Sequence, residues 1–304
     1  MNNDVKTYGA VLLAMVLWGF SFVSTKIILT SFPVFTYIAI RFSLASVVFL
    51  LLLKKRGFPK LGKKTHFRLV LIAAFEPFLY FIFESLGLSI TTASKASLLI
   101  AVIPMVVLIF ARIMIGEKIT PKNLTGIILS FGGIFLLVSG GEDFSWSFGE
   151  SGGTFLGDLL IMGSVVTASL YIVLTRELTQ RVSSFHITAF QVLYATLFFL
   201  PLIFIDVFTM DWRGVSYQSL GGLMFNVFGS TIGAFLLYNF ALTKLSASRS
   251  SLFINGIPIV TAAAAWFILG ERLTLVQFAG GALVILSVTL TNVSRRNVEP
   301  LAPS

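Results

Sequence analysis

Residues 84–130 recur without a gap as residues 238–284, and this duplication constrains the fold more than any other feature of the chain. The paired positions include Ala93/Ala247, Ser94/Ser248, Ser97/Ser251, Leu98/Leu252, Pro104/Pro258, Gly116/Gly270, Glu117/Glu271, Thr120/Thr274 and Gly126/Gly280. Roughly a third of the window is identical at this one offset, far above chance for two unrelated apolar stretches. Two copies of one unit must fold into two related halves. If the unit crosses a membrane an odd number of times, the halves take opposite orientations in the bilayer.

Composition supplies the membrane. Of 304 residues, 56% are hydrophobic and 12% charged, with a mean hydropathy of +0.94. Too few polar side chains exist to coat a soluble globule of this size. A helix needs about 20 apolar residues to cross a hydrocarbon core of about 30 Å. Ten such runs fall near 8–30, 33–53, 67–88, 93–115, 121–139, 154–175, 184–206, 216–243, 247–269 and 274–293. The first has no small-residue cleavage site and is expected to be a retained span, not a signal peptide. Five spans per copy predict an all-α membrane protein of two inverted five-helix repeats, 1–139 and 154–304. The polar stretch 140–153 is the expected extracytoplasmic linker. The first two spans match less well between the copies; Gly9 and Ser21 align with Gly157 and Ser169 after a small register change. Gly132, Gly133, Gly280 and Gly281 permit close helix approach.

The 22 Lys and Arg exceed the 13 Asp and Glu, but their placement points to topology and lipid headgroups instead of nucleic acid. Lys54, Lys55, Arg56, Lys60, Lys63, Lys64 and Arg68 crowd one loop. Lys118 with Lys122, Arg176 with Arg181, Lys244 with Arg249, and Arg295 with Arg296 mark alternate loops. Intervening loops are short or acidic, as at Glu142, Asp143 and Glu150. This pattern puts both termini in the cytoplasm. The absence of Cys removes disulfides, thiolate metal sites and thiol nucleophiles.

An ionisable side chain deep in a bilayer costs at least about 2.5 kcal/mol and is by default a functional candidate. Glu76, Tyr80 and Glu84 share one face of the third span by their spacing. The duplication maps that face onto Ser230, Ala234 and Tyr238 in the eighth, in a polar stripe that begins at Asn226. Inverted symmetry would bring both stripes to one midplane cavity. Pro77 cannot donate to the carbonyl of Ala73, so the third span is expected to open beside Glu76. Two readings of Glu76 stand: a permanent pair with Arg41, or an occupancy by proton or substrate that changes during a cycle. Burial disfavours a charged carboxylate and a nearby cation favours it, so alternating exposure would link protonation to state. For Glu84, a salt bridge to Lys95 competes with a substrate contact. Asn255 replaces the Ala101 of the first copy and is a candidate contact for substrate or a partner helix, while Asn239 is expected to touch substrate or bridge helices. Pro104 and Pro258 are kinks or, with Pro77, hinges. Trp18 shares a face with Phe22 and either packs or joins a ligand cage, and Lys26 is expected to snorkel outward.

No complete GxxxxGK[ST] phosphate loop occurs, and His66 and His186 show no metal-ligand spacing. The chain is therefore not expected to be an enzyme, to bind a metal or to need a cofactor. The segments Thr92 to Gly126 and Ser246 to Gly280 share T/S-A-S, a central Pro, G-E-[KR]-x-T and a following Gly. They resemble the two EamA-type repeats of the drug/metabolite transporter superfamily, and the W-G-F-S-F string at Trp18 to Phe22 is similar to the start of that family's first repeat. The resemblance implies ten helices and an alternating-access carrier whose cavity is built from spans one, three, four, six, eight and nine. It also implies that Glu76, Tyr80, Asn255 and Pro258 line that cavity, with Glu117 and Glu271 as caps or gate contacts. The reading is a multi-pass carrier of the bacterial cytoplasmic membrane, exporting amino acids or similar small polar metabolites, with lipid as its surroundings and proton coupling open through Glu76. Uptake or exchange of another small metabolite or drug is the alternative within transport. A nontransporting scaffold or lipid-binding protein is the alternative outside it. Oligomeric state is left open, a monomer being compatible.

Overall fold

The computed structural model describes residues 2–115, 121–140 and 153–292. Gly116, Glu117, Lys118, Thr120, the interior of the expected linker, and Arg295 and Arg296 lie outside these residues. Within them the structure is helical, as hydrocarbon requires, because a helix satisfies its own backbone without water. We label the helices α1 (Asn2–Ile28), α2 (Val34–Arg56), α3 (Lys63–Ile90), α4 (Ala93–Met114), α5 (Pro121–Ser139), α6 (Gly153–Leu178), α7 (Ser184–Thr209), α8 (Tyr217–Lys244), α9 (Ala247–Leu269) and α10 (Leu275–Asn292). Eight are long and apolar enough to cross a membrane; α5 and α10 carry shorter apolar cores, Ile128–Leu137 and Leu275–Ser287.

The repeat is visible in how helices begin, break and end. Thr92 caps α4 by accepting from the Lys95 amide, and Ser246 caps α9 by accepting from the Arg249 amide. α3 loosens into a π-helical segment at Ala74–Leu79, where Glu76 is extended (φ −146°, ψ 117°) and Pro77 cannot donate. α8 loosens at the matching place, Asn226–Ala234. α4 is interrupted at Ala101 and Val102 before Pro104, and α9 by a 3-10 turn at Phe253–Asn255 before Pro258.

The first two helices of each copy also correspond, in a register different from the one the sequence suggests. After α1 the amides of Leu29, Ser31 and Phe32 bond to Thr25 and Ile28; after α6 those of Thr179, Arg181 and Val182 bond in the same way to Thr175 and Leu178. Trp18 therefore falls opposite Ala168 and Ser21 opposite Tyr171, not Ser169. Gly157 packs on Gly87 and Thr91, whereas Gly9 faces open space.

Packing exchanges the copies. α1 lies against α8 and α9, and α6 against α3 and α4. Equivalent helices meet antiparallel. In α2 and α7, Ser46 bonds Thr196 at 2.7 Å, Phe49 meets Phe185, and Thr36 bonds Asp206. In α5 and α10, Ser130 meets Ser287, Gly133 meets Gly280, and Gly140 meets Val276. The α5–α10 crossing is close enough that a Cβ on Gly280 would sit 2.8 Å from the Gly133 carbonyl oxygen and from the Leu137 nitrogen. Gly280→Val should accordingly lower unfolding stability in detergent by about 1–3 kcal/mol through overpacking. Gly9→Ala, with nothing within 4 Å, should leave the thermal unfolding midpoint unchanged or raise it slightly.

Candidate functional site

The two sets of broken helices enclose a central cavity. Its walls come from α1 (Trp18, Ser21, Phe22), α3 (Glu76, Tyr80, Phe81, Glu84), α4 (Ile100, Ile103), α6 (Ala168, Tyr171, Ile172), α8 (Tyr238) and α9 (Ile254, Ile257). The wall is quasi-symmetric. Trp18, Ser21 and Phe22 face their counterparts Ala168, Tyr171 and Ile172, Ile100 and Ile103 face Ile254 and Ile257, and Glu84 faces Tyr238. The exception is Glu76, Tyr80 and Phe81, whose counterparts Ser230, Ala234 and Phe235 lie outside the wall. The cavity volume is about 30 Å³, room for a water molecule or two.

Five residues singled out from sequence thus meet here: Trp18, Glu76, Tyr80, Glu84 and Tyr238. Trp18 packs edge-on against Phe235 at 5.4 Å and tilts over Tyr238 at 5.1 Å between ring centroids. Asn239 and Asn255 are not in the wall. Asn239 is fully buried and bridges helices, accepting from the Tyr171 hydroxyl at 2.6 Å and donating to Thr188 at 2.9 Å and Gln191 at 3.2 Å. Asn255 ends the 3-10 turn of α9, its side-chain oxygen buried without a hydrogen-bond partner. Pro77, Pro104 and Pro258 sit at or just beyond the breaks of α3, α4 and α9, and Pro258, expected to line the cavity, is not in its wall.

The cations take partners other than those expected. Arg41, fully buried, does not pair with Glu76. Its guanidinium donates to the hydroxyls of Tyr37 (2.8 Å), Ser230 (2.9 Å) and Thr231 (2.7 Å) and lies 4.3 Å from the Phe81 ring centroid. Lys95 pairs with Asp158 at 2.5 Å instead of Glu84, and Thr91 donates to the same carboxylate. Lys26 does not snorkel outward; its ammonium donates to the Leu88 carbonyl at 2.8 Å, and its counterpart Arg176 donates to the Leu242 carbonyl at 2.6 Å. Each closes the end of a helix whose last carbonyls have no intrahelical partner. Glu271 acts as a cap, accepting from the Ala93 and Ser94 amides at 2.9 Å each; Glu117 lies outside the described residues.

Two residues that sequence reasoning passed over matter to this geometry. Gln191 donates to the Glu76 carbonyl at 2.9 Å and so closes the backbone of the α3 break. Asp158 is the partner of Lys95. Each is a lone polar residue in an apolar span, the same signal that marked Glu76. Tyr171 would have emerged had α6 been aligned to α1 by its following turn.

Comparison with known proteins agrees with the fold and adds a family. The model of the EamA-like transporter family matches residues 5–139 and, a second time, residues 155–293. The uncharacterized transporter YetK of Bacillus subtilis (strain 168) is 29% identical, across 98% of this chain and 90% of its own length. An uncharacterized transporter of Archaeoglobus fulgidus is 28% identical across 96% of this chain and 98% of its own. A solved crystal structure at 16% identity shares the fold, with a TM-score of 0.67 over 96% of this chain and 98% of that one.

The buried Lys95–Asp158 pair yields a stability test. Asp158→Asn should cost about 3–5 kcal/mol because it strands a buried ammonium. Glu177→Gln removes the partner of Arg68 in a far more exposed pair and should cost less than about 1 kcal/mol. Denaturant unfolding of both variants in micelles would check the contrast; equal losses would contradict it.

Proposed function

The chain belongs to the EamA-like transporter family, and from that premise we propose that it is a secondary carrier exporting amino acids or related small polar metabolites by alternating access. In this reading ten helices span the cytoplasmic membrane as two inverted five-helix repeats, 1–139 and 154–304, joined outside by 140–153, with both termini in the cytoplasm. The basic residues of alternate loops support that orientation. The antiparallel meeting of α2 with α7 and of α5 with α10 supports the inversion.

One observation carries the proposal: a cavity at the meeting of six helices from both repeats holds two carboxylates, three phenols and the Ser21 hydroxyl in a wall whose other side chains are aliphatic or aromatic. Polar groups so placed at membrane depth are expensive unless something comes to meet them. The breaks beside Pro77, Pro104 and Pro258 supply hinges, letting one end of the cavity part while the other stays closed. Glu76 is the candidate for coupling. Its carboxylate makes no hydrogen bond or ion pair among the described residues, so its charge is free to follow a proton or a substrate.

The test is flux in proteoliposomes against an amino-acid panel, with and without a pH gradient imposed in either direction. A carrier moves at least one compound, and the direction of the effective gradient distinguishes export from uptake or exchange; a scaffold moves none. Glu76→Gln keeps the shape and removes the charge. It should abolish gradient-driven flux while the folded protein remains in the membrane, and unchanged pH-dependent transport in that variant would remove Glu76 from the coupling role.

A further inference from the structure

We propose that Gln191 and Asn239 are positioning residues that tie the Tyr171 hydroxyl in the cavity wall to the backbone of the α3 break, so that a change at the wall reaches the turn carrying Glu76. The proposal rests on the carrier reading for its use in transport and on hydrogen-bond geometry alone for its existence.

The chain of bonds runs through four helices. Gln191 of α7 donates to the Glu76 carbonyl at 2.9 Å, Asn239 of α8 donates to the Gln191 side-chain oxygen at 3.2 Å, and Tyr171 of α6 donates to the Asn239 side-chain oxygen at 2.6 Å. All three side chains are buried, so bulk water does not make good a lost link. Elimination fixes the direction. A backbone carbonyl only accepts, so the Gln191 nitrogen faces Glu76 and the Gln191 oxygen faces Asn239. The Asn239 nitrogen must answer that oxygen, which leaves the Asn239 oxygen for Tyr171. The one hydroxyl hydrogen of Tyr171 is thus committed to the chain. An occupant of the cavity that accepts from Tyr171 breaks the first link.

The far end of the chain is contested. In an α-helical turn the Glu76 carbonyl would accept from the amide of Tyr80. That amide instead reaches the carbonyls of Phe75 and Pro77, and the Glu76 carbonyl is left to Gln191. Two donors therefore compete for one carbonyl, one on its own helix and one from the opposite repeat. Which of them holds it sets the winding of the turn that presents Glu76 and Tyr80 to the cavity.

Duplication did not impose this chain. The positions matching Tyr171, Asn239, Gln191 and Glu76 in the other half are Ser21, Ser85, Arg41 and Ser230, all polar and all buried. There Ser21 turns to the Trp18 carbonyl at 2.7 Å, and the Ser85 hydroxyl has no hydrogen-bond partner among the described residues. Arg41 ends on the Ser230 hydroxyl, a side chain and not a backbone carbonyl. Wall and break are joined in one half alone.

The test reads the Glu76 carbonyl directly. Glu-Pro occurs twice in the sequence, at Glu76–Pro77 and Glu299–Pro300, so ¹³C-carbonyl Glu with ¹⁵N-Pro in a full-length Glu299→Asp background leaves one labelled pair for solid-state NMR in lipid. Gln191→Leu should displace that carbonyl resonance. Tyr171→Phe, which keeps the ring and removes the donor at the far end of the chain, should displace it the same way by at least half as much. Thr188→Val removes another partner of Asn239 without touching the chain, and Ser21→Ala alters the place matching Tyr171; both should leave the resonance in its native position. Thermal unfolding midpoints identify any variant that does not fold, and Asn239→Ala, which opens the chain at its middle, then takes its place. The proposal is overturned if Tyr171→Phe leaves the resonance unmoved, or if Thr188→Val moves it as far as Tyr171→Phe does. Flux of the amino-acid panel by the unsubstituted protein separates the two readings. Displacement as expected with no compound moved sinks the carrier and leaves the tie standing, whereas flux with the Tyr171→Phe resonance unmoved does the reverse.

Discussion

A helix that breaks inside hydrocarbon must have its freed polar groups closed by a neighbour, because no water is there to do it. α3 and α8 break at equivalent places, and a side chain of the opposite repeat reaches each break. Gln191 of α7 donates to the backbone carbonyl of Glu76, whereas Arg41, at the corresponding place in α2, donates to the side-chain hydroxyls of Ser230 and Thr231 within the second break. Each repeat thus places a polar side chain at the break of the other.

Duplication made the geometry and divergence made the chemistry. At matching positions in the two broken helices, one copy carries Glu76, Tyr80 and Glu84 and the other Ser230, Ala234 and Tyr238. The second break is fully buried at Ser230 and Thr231 and turned toward Arg41, while the first turns its carboxylates to the cavity. A symmetric site would place matching charges at both halves of the wall. This one gathers its negative charge in a single helix and lines the opposite side with apolar groups and phenols.

The parts of this arrangement that follow from local pattern were legible in the sequence. Apolar run length marked the helices, an ungapped repeat marked α3 to α5 against α8 to α10, and helical spacing put Glu76, Tyr80 and Glu84 on one face. Partner choice was not legible, because it depends on which helices touch. Lys95 had Glu84 within plausible reach along the chain, but Asp158 arrives from α6 at 2.5 Å. A pair with Glu76 was one of two readings open for Arg41, whereas α8 supplies hydroxyls that hold it from the other side. Tyr171 was hidden for a different reason: α1 and α6 have diverged so far that two small residues, Gly9 and Gly157, suggested a register that the following turns contradict.

The exchange of α1 between the halves also sets a timetable. Ser24 donates to the Gly222 carbonyl, 198 residues further along, and the Gly19 carbonyl accepts from Thr261, 242 residues away. At translation rates of about 5–20 residues per second, the first helix waits on the order of ten seconds or more in the bilayer before those partners are made. During that interval the groove that Val260 and Ile257 will fill at Gly19 meets lipid. Closure of the fold is an event of the last third of synthesis, and a ribosome that stalls after α7 leaves the first-made helix as the least finished one.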